Sequence, residues 1–388
     1  MNIDKAPVTG RDVGNLVFGS PGTLRAERGA AELRAGRPVV LRQEGSRIAV
    51  LALDAASPSI YEAFLAATDG DACLYLTPPR AAVLGLDAPQ GGLIPARARD
   101  HDSICRLGYM RGADAPAEWR AATPLVHEAA ALARLALLLP AVLVAAIGEG
   151  PSLFDACAEV EPGDIQQGFS TAALDFREVA RTPVPLKDIG DVVFTVFRGG
   201  FAQRDQLALI VGEPDFSGSV PVRVHSSCIT GDLFGSLKCD CGDQLRGGLA
   251  KLKALGGGVL LYLDQEGRGT GIASKMRAYG FQHQGLDTVD ADAELGFGGD
   301  ERRYEAAVSI LRQLSIGSVR LLTNNPAKRV GLDGYGLHIV ERVPMPVRAN
   351  KENLRYLRTK RDRMGHELSG LDEYHEANSM NSYEEAVY

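Results

Sequence analysis

The stretch PVRVHSSCITGDLFGSLKCDCGDQLRGGLAKLKALGGGVLLYLDQEGRGTG, residues 221–271, runs from an apolar alternating segment through a cysteine-rich loop and a helix-forming segment to a second apolar run. It predicts strands over 221–226 and 259–263, a helix over Leu245–Leu255 stopped by Gly256–Gly258, and a ligand-gathering loop, DQEGRGTG, where the second strand ends. Between the strands, Cys228, Cys239 and Cys241 place half of the chain's six cysteines within fourteen positions. Zinc binds thiolate well, and this spacing offers three ligands and leaves a fourth tetrahedral position for water, as in a catalytic site. A structural zinc with a fourth ligand from elsewhere, or three ordinary buried cysteines, fits the same spacing. The polarity of His225, Asp232, Lys238, Asp240 and Gln244 argues against a plain core segment.

Upstream, residues 188–212, DIGDVVFTVFRGGFAQRDQLALIVG, read as two antiparallel strands around a Gly-Gly turn, so a β-rich platform leads into the cysteines. Downstream follow a helix over Ile272–Tyr279, the polar run QHQGLDTVDADAELGF, a helix over Asp300–Leu314, a strand at 318–322 and the abrupt loop TNNPAKR. The loop after residue 263 suits phosphate, although it carries neither G-x4-G-K-[ST] nor G-x-G-x-x-G.

The amino-terminal half has its own pattern. Residues 1–22 read as a loose arm and 23–35 as a helix; PVVL, RIAVLALDA and ACLYLT are short buried strands of an α/β or α+β domain. The apolar run Ala129–Ile147 has the length of a membrane helix, but Arg134 and Pro140 interrupt it, and helix Pro124–Leu138 followed by strand Ala141–Ile147 accounts for it better. The segment around Glu159–Ser170 is rich in Gly, Pro, Asp and Gln and reads as a hinge. These segments divide the chain into an arm (1–22), a first domain (23–157), a linker (158–175), a second domain (176–368) and a flexible tail (369–388), with the alternating charges from Arg358 read as solvated and partly disordered.

At 388 residues and 45 % hydrophobic composition, the chain can bury two cores. Its net charge of −7, from 42 basic and 49 acidic residues, disfavours a nucleic-acid partner. The N-terminus lacks an apolar signal core and the cysteines do not form a disulfide framework, so a cytoplasmic protein with reduced thiols and no membrane association is expected.

Over residues 176–368 the chain resembles GTP cyclohydrolase II, the enzyme that opens the guanine imidazole ring at the head of riboflavin biosynthesis. The resemblance rests on RVHSSCITGD, SLKCDCGDQL, DQEGRGTG, KMRAYGFQHQGLDTVDAD, ELGFGGDERRY, RLLTNNPAKR, IVERVP and TKRDRMGHEL, in family order and with family-like spacing. It implies a mixed β platform with an α/β layer, and one zinc per subunit on Cys228, Cys239 and Cys241 activating a water toward C8 of GTP. Formate and pyrophosphate leave, and a ribosylamino-pyrimidinone monophosphate remains. Tyr279 would orient or shuttle a proton near that water; Asp300 would act as proton acceptor and Arg302 as nucleophile toward the α-phosphorus, with electrostatic clamping of the triphosphate the less demanding role for an arginine that stays protonated. Arg223, Val224, His225, Ser226, Ser227, Gln244, Glu266, Gly267, Arg268, Thr288, Thr323 and Lys328 fall where the family contacts guanine, ribose and phosphates. Glu266 can accept from guanine N1 and N2, and Arg268 and Lys328 offer charge to phosphate. Read without the family, Tyr279 is a packing residue, Thr323 a strand-end cap and Lys328 a surface lysine. Mg²⁺ would arrive with the triphosphate, and a homodimer is implied.

Three positions depart from the family pattern: Ser227 stands where a glutamate is usual, Asp264 where an arginine is usual, and Arg303 where an aspartate is usual. The last two are opposed charge changes that compensate each other if they face one another. Ser227 and Asp264 leave open a nucleotide-binding protein, or a ring-opening enzyme acting on another base.

The first domain resembles 3,4-dihydroxy-2-butanone 4-phosphate synthase through AAELRAGRPVVL, LYLTPPRAAVLGLDAP and LVHEAAALARLALLLPAVLVAAI. The resemblance implies a scaffold without its chemistry: an acidic Mg²⁺ loop is replaced by RQEGSR at 42–47, and Ala145 and Ala146 stand where a metal-binding glutamate belongs. His127 is expected to cap or pack. A role in dimerisation or in covering the second domain's site is the expectation.

Overall fold

The computed structural model describes residues 19–148, 150, 152–170, 176–369 and 371. Nearly all of the expected arm and tail therefore lies outside the described residues. The chain divides into two compact units, 1–172 together with 292–299, and 173–291 together with 300–388.

The first unit is built on strands β1 (Val39–Gln43), β2 (Ser46–Ala52), β3 (Cys73–Leu76), β4 (Gly92–Pro95), β5 (Arg120–Ala121), β6 (Val142–Ile147) and β7 (Glu159–Val160). They form one sheet in the order β5-β4-β3-β6-β2-β1-β7, antiparallel except where β1 meets β7. Its first helix, Pro21–Arg34, opens two residues before the expected start, because Ser20 accepts the Thr23 amide and Pro21 is already set for helical φ. The long apolar run resolves into helix Pro124–Leu135 and strand β6, as Arg134 and Pro140 indicate.

The segment 159–170 is not a hinge. It forms β7 and a helix, Pro162–Ser170, tied to the first helix by Arg25, whose guanidinium donates to both Asp164 oxygens at 2.8 and 2.6 Å. The proline and aspartate that read as turn formers are here first-turn residues of a helix, and Asp164 also accepts the Glu161 amide.

The second unit holds β8 (Phe176–Leu186), β9 (Gly190–Gly199), β10 (Arg204–Gly212), β11 (Val220–Ser226), β12 (Gly257–Leu263), β13 (Ser318–Leu322) and β14 (His338–Val343), in the order β14-β13-β11-β12-β10-β9-β8. From β8 to β12 the pairing is antiparallel; β12, β11, β13 and β14 run parallel. The paired strands expected over 188–212 are β9 and β10. Strand β8 escaped the sequence reading because it is an edge strand, mostly exposed, with Pro183 and Pro185 where no second neighbour needs an amide. Val222, Val224, Leu261, Leu263, Val308, Leu311, Val319 and Leu321 join in one core.

Two further expectations change. The helix foreseen from Asp300 begins only at Glu305 and ends at Gln313, leaving 300–304 as irregular chain. The charged segment from Arg358 belongs to a helix, Leu354–Asp362, with Leu357 and Thr359 buried and Lys360 paired to Asp240 at 2.6 Å. Among the described residues no helix is long and apolar enough to cross a membrane.

Leu261 is fully buried in the central strand pair. Leu261→Ala should cost about 2–5 kcal/mol, read as a lower urea midpoint of the far-ultraviolet circular dichroism transition.

Candidate active site

Parallel strands deliver their carboxyl ends to one edge of a sheet, and the chain leaving those ends is where polar groups can converge without breaking the ladder. In the second unit β11 runs into Ser227 and Cys228, β12 into Asp264–Gly269, and β13 into Thr323–Asn325. The segment Glu266–Gly269 is a tight turn in which Gly267 and Arg268 both adopt left-handed φ, 62° and 61°. For arginine that conformation is strained, and strain of this kind collects at functional sites.

Cys228, Cys239 and Cys241 converge: their sulfurs lie within 4.8 Å of one another, and those of Cys228 and Cys239 are 3.7 Å apart. Zinc at about 2.3 Å from each thiolate would space tetrahedral sulfurs by about 3.8 Å, so the donor set fits that ion. Gly231 makes the convergence possible, since a Cβ there would lie 2.9 Å from the Cys239 sulfur and 3.2 Å from that of Cys228. Asp232 fixes the turn from below, accepting the Cys228 amide at 2.9 Å, the Tyr262 hydroxyl at 3.0 Å and His225 Nε2 at 3.2 Å. The His225 ring stacks on Tyr262 at 5.5 Å. Burial pushes the His225 pKa down, Asp232 notwithstanding. Asp240, between the other two cysteines, is held by Lys360, whose ammonium lies 4.4 Å from the Tyr356 ring centroid.

Lys275 is the site residue that the sequence reading missed. Its ammonium lies 3.0 Å from Cys228 Sγ, 2.9 Å from Thr230 Oγ1 and 2.7 Å from Glu266 Oε1. Its signal was the helix pattern itself: Lys275 is one turn before Tyr279, so both face the cluster. Hydrogen bonds from the Cys239 and Cys241 thiols, joined by Lys275, lower the Cys228 pKa. Tyr279 is half-buried, with Lys238 and Lys275 nitrogens 5.2 and 5.6 Å from its ring centroid. Burial raises its pKa, and the neighbouring thiols add to this. Glu266 has both oxygens engaged, Oε1 by Lys275 and the Gly267 amide and Oε2 by the Ile229 amide at 2.6 Å.

A second group stands beside the first. Arg302 donates from Nε to Asp300 at 2.7 and 3.0 Å and closes the pair through its terminal nitrogen. Burial disfavours the Arg302 charge, yet the Asp300 carboxylate outweighs it and raises the pKa. Burial likewise pushes Asp300 up, but Arg302 holds it below the usual carboxylate range. Arg268 and Lys328 feel both charges, with burial lowering each pKa. Lys328 is not a surface lysine: it is buried and donates to the Val224 carbonyl at 2.8 Å. Arg223 is buried, donating to the Leu322 carbonyl at 2.9 Å and to Gln244 at 3.3 Å, while Gln244 donates to the Pro346 carbonyl. The two groups are packed together by Gly269, where a Cβ would lie 2.8 Å from the Glu301 carbonyl, and by Gln265, which donates to the Arg303 carbonyl.

Other expected residues are occupied locally. Thr323 accepts the Asn325 amide at 3.0 Å, as a strand-end cap does. Thr288 opens the helix Thr288–Glu294 and accepts from Gln282 at 3.4 Å. Ser226 donates to Gln265 at 3.5 Å, and Ser227 accepts the Gln265 amide at 3.2 Å. Asp264 pairs with Arg204 at 3.1 Å and Arg303 with Glu305 at 2.6 Å, so each altered charge is neutralised by its own neighbour.

Gly231→Ala should lower bound zinc per chain well below that of the unchanged protein, measured by elemental analysis after purification with zinc, while circular dichroism stays native.

A sequence model of GTP cyclohydrolase II matches residues 177–344. A protein of Xylella fastidiosa (strain Temecula1) named GTP cyclohydrolase-2 is 52 % identical over 354 residues, 90 % of this chain and 89 % of the relative. The riboflavin biosynthesis protein RibBA of Mycobacterium avium is 56 % identical over 182 residues, 46 % of this chain and 43 % of its own length. Among solved structures, the two-domain 3,4-dihydroxy-2-butanone 4-phosphate synthase RibBX from A. baumannii aligns with 84 % of this chain and 100 % of its own, at 19 % identity and a TM-score of 0.29. With identity of this depth along nearly its whole length, the chain belongs to the GTP cyclohydrolase II family.

Proposed function

We propose that this protein is a zinc-dependent GTP cyclohydrolase II, releasing formate from C8 of guanine and pyrophosphate from the triphosphate, as the entry to riboflavin biosynthesis. The observation that carries the reading is that, at one sheet edge, the three converging thiols are tied through Lys275 and Glu266 to the turn whose Gly269 packs on the segment bearing the Asp300–Arg302 pair. Cys228, Cys239 and Cys241 would hold the zinc, which when bound supplies the Lewis acidity that makes a water nucleophilic at neutral pH.

The chain's own residues do the rest. Tyr279, kept as a phenol by burial, is a proton donor and orienting group toward the guanine ring. Lys275 stabilises negative charge beside Cys228 and holds Glu266 against the loop. For Glu266 to read guanine N1 and N2, it exchanges the Ile229 amide for the base. Arg302 is held protonated by Asp300, which favours clamping the triphosphate, with its Mg²⁺, over attack on phosphorus. The local neutralisation of Asp264 and Arg303 removes the charge argument for a different substrate.

The first unit is proposed as a synthase-like scaffold without the synthase reaction. Where that enzyme carries its acidic loop, β1 and β2 are joined through Glu44–Gly45 alone, Gln43 facing Ser46. His127 contacts the Gln90 carbonyl at 2.5 Å and the Tyr75 ring at 5.7 Å, a packing role. A second copy of the chain is the proposed partner, and the cytoplasm the proposed compartment.

The test follows formate and pyrophosphate together after zinc-loaded protein meets GTP and Mg²⁺. Both should form, and both formate release and zinc content should be lost in Cys228→Ser. Arg302→Ala should lower pyrophosphate release by about 10²–10³-fold, the scale for a preorganised charge on a reacting group. Binding of GTP with neither product would refute the reading.

A further inference from the structure

The stretch TKRDRMGHEL, residues 359–368, leaves the helix Leu354–Asp362 and turns back onto the second unit's sheet edge. Gly365 takes a left-handed φ of 66°, and the His366 amide donates to the Lys360 carbonyl at 3.0 Å. The next amide, that of Glu367, donates at 2.9 Å to the carbonyl of Asn324, in the loop that follows β13. The Glu367 carboxylate pairs with Arg342 of β14, Met364 Sδ lies 3.8 Å from Arg268 Nη1, and Lys360 holds Asp240. The segment is therefore seated on the loop after β13 and the turn after β12.

His366 stands inside this seat. Its Nδ1 is shut off from solvent and has no hydrogen-bond partner among the described residues. The charges it feels are those of Lys360, Arg302 and Lys328, three cations from three parts of the chain. Burial first, and then these charges, lower its pKa to about 4, so the ring is neutral at neutral pH. Two other buried atoms within electrostatic reach of Arg302 lack a partner among the described residues in the same way: the Tyr304 hydroxyl, on a residue 9 % exposed, and Arg223 Nε. Leaving buried polar atoms unpaired destabilises a fold, and here three gather around one guanidinium. All three can donate. Lys328 and Arg223 are held by neutral acceptors, the carbonyls of Val224 and Leu322 and the amide of Gln244, while the Asp300 carboxylate is taken by Arg302. Positive charge is thus in excess where the unpaired donors lie, which selects an anion as the group that completes them.

We propose that His366 is a further binding residue for the triphosphate, donating from Nδ1 to a phosphate oxygen, and that residues 363–367 form the wall of the site that carries it. This rests on Arg302 and Lys328 forming the phosphate end of a GTP site. It makes a segment whose alternating charges look solvated into part of the substrate's enclosure.

The experiment takes the unchanged protein, His366→Leu and His366→Asn, each loaded with zinc, and measures affinity for inorganic triphosphate and for guanosine, zinc content, circular dichroism, and the kcat and KM for GTP. Leucine fills the place of the ring without a donor; asparagine keeps a nitrogen donor at the δ position. His366→Leu should weaken binding of inorganic triphosphate and raise the KM for GTP by about tenfold to a hundredfold, the scale of one hydrogen bond to a charged group. Guanosine affinity and zinc content should not change, and His366→Asn should recover most of the loss. In the unchanged protein the side-chain nitrogen resonances of His366, assigned by their absence from His366→Asn, should move when inorganic triphosphate is added and stay in place with guanosine. That measurement reads the contact even where the leucine variant does not fold. Triphosphate binding indifferent to His366→Leu, nitrogen resonances indifferent to triphosphate, or a loss shared equally by guanosine and triphosphate would overturn the proposal. If the unchanged protein released neither formate nor pyrophosphate from GTP while His366→Leu still lost triphosphate, the cyclohydrolase reading would fail and the His366 contact would stand.

Discussion

The ammonium of Lys275, set between Glu266 and Cys228, is the contact on which the second unit's site depends. Three pieces of chain meet there: the turn after β11, the left-handed turn after β12, and the helix Ile272–His283. All three groups are mostly shielded from water, with the Lys275 and Glu266 side chains 10 % and 13 % exposed. In such a setting a pair is worth little against an apolar substitute but a great deal against losing one partner, about 3–5 kcal/mol. The arrangement therefore specifies geometry more than it adds stability. It keeps a cysteine sulfur, a carboxylate and an ammonium at fixed separations.

The sheet edge explains why charge can be so dense. β11 and β12 are buried almost throughout; within β11, Arg223 and His225 are the charged or titratable side chains inside the ladder, and the remaining polar groups of the site come from the chain past the strand ends. Each of the tight approaches there uses glycine: Gly231 under the sulfurs, Gly269 against Glu301. Around this edge the altered charges of Asp264 and Arg303 are absorbed by Arg204 and Glu305, each within its own neighbourhood.

Much of this was legible from residues alone. The cysteine spacing named the sulfurs that meet, and the apolar runs named β9 to β13 because buried strands leave continuous hydrophobic text. Other parts were not legible, for identifiable reasons. Strand β8 is exposed and proline-bearing, so neither alternation nor propensity marks it. The helix Pro162–Ser170 opens with residues that also make turns, and only the Arg25–Asp164 contact, 139 positions apart, separates the two readings. Lys360 reads as one of many alternating charges, but its partner Asp240 lies 120 positions earlier. Read without the family, Lys328 looked superficial because lysine usually is; nothing local announces the Val224 carbonyl it donates to. In the last three cases the deciding partner is remote in sequence, which is the information that periodicity does not carry.

The excursion of residues 292–299 has a bearing on how such a chain can change over time. The two units are joined by three passages of the chain, at 172–173, 291–292 and 299–300. A domain attached by one linker can be shed by a truncation, or exchanged whole. One that has taken in a piece of its neighbour's sequence cannot, because its removal would leave Leu295 and Phe297 without cover and the carboxylate of Glu294 without its arginine. A change at Thr77 or Arg80, which donate to the Gly296 and Glu294 carbonyls, therefore has to be matched 219 or 214 positions further along the chain.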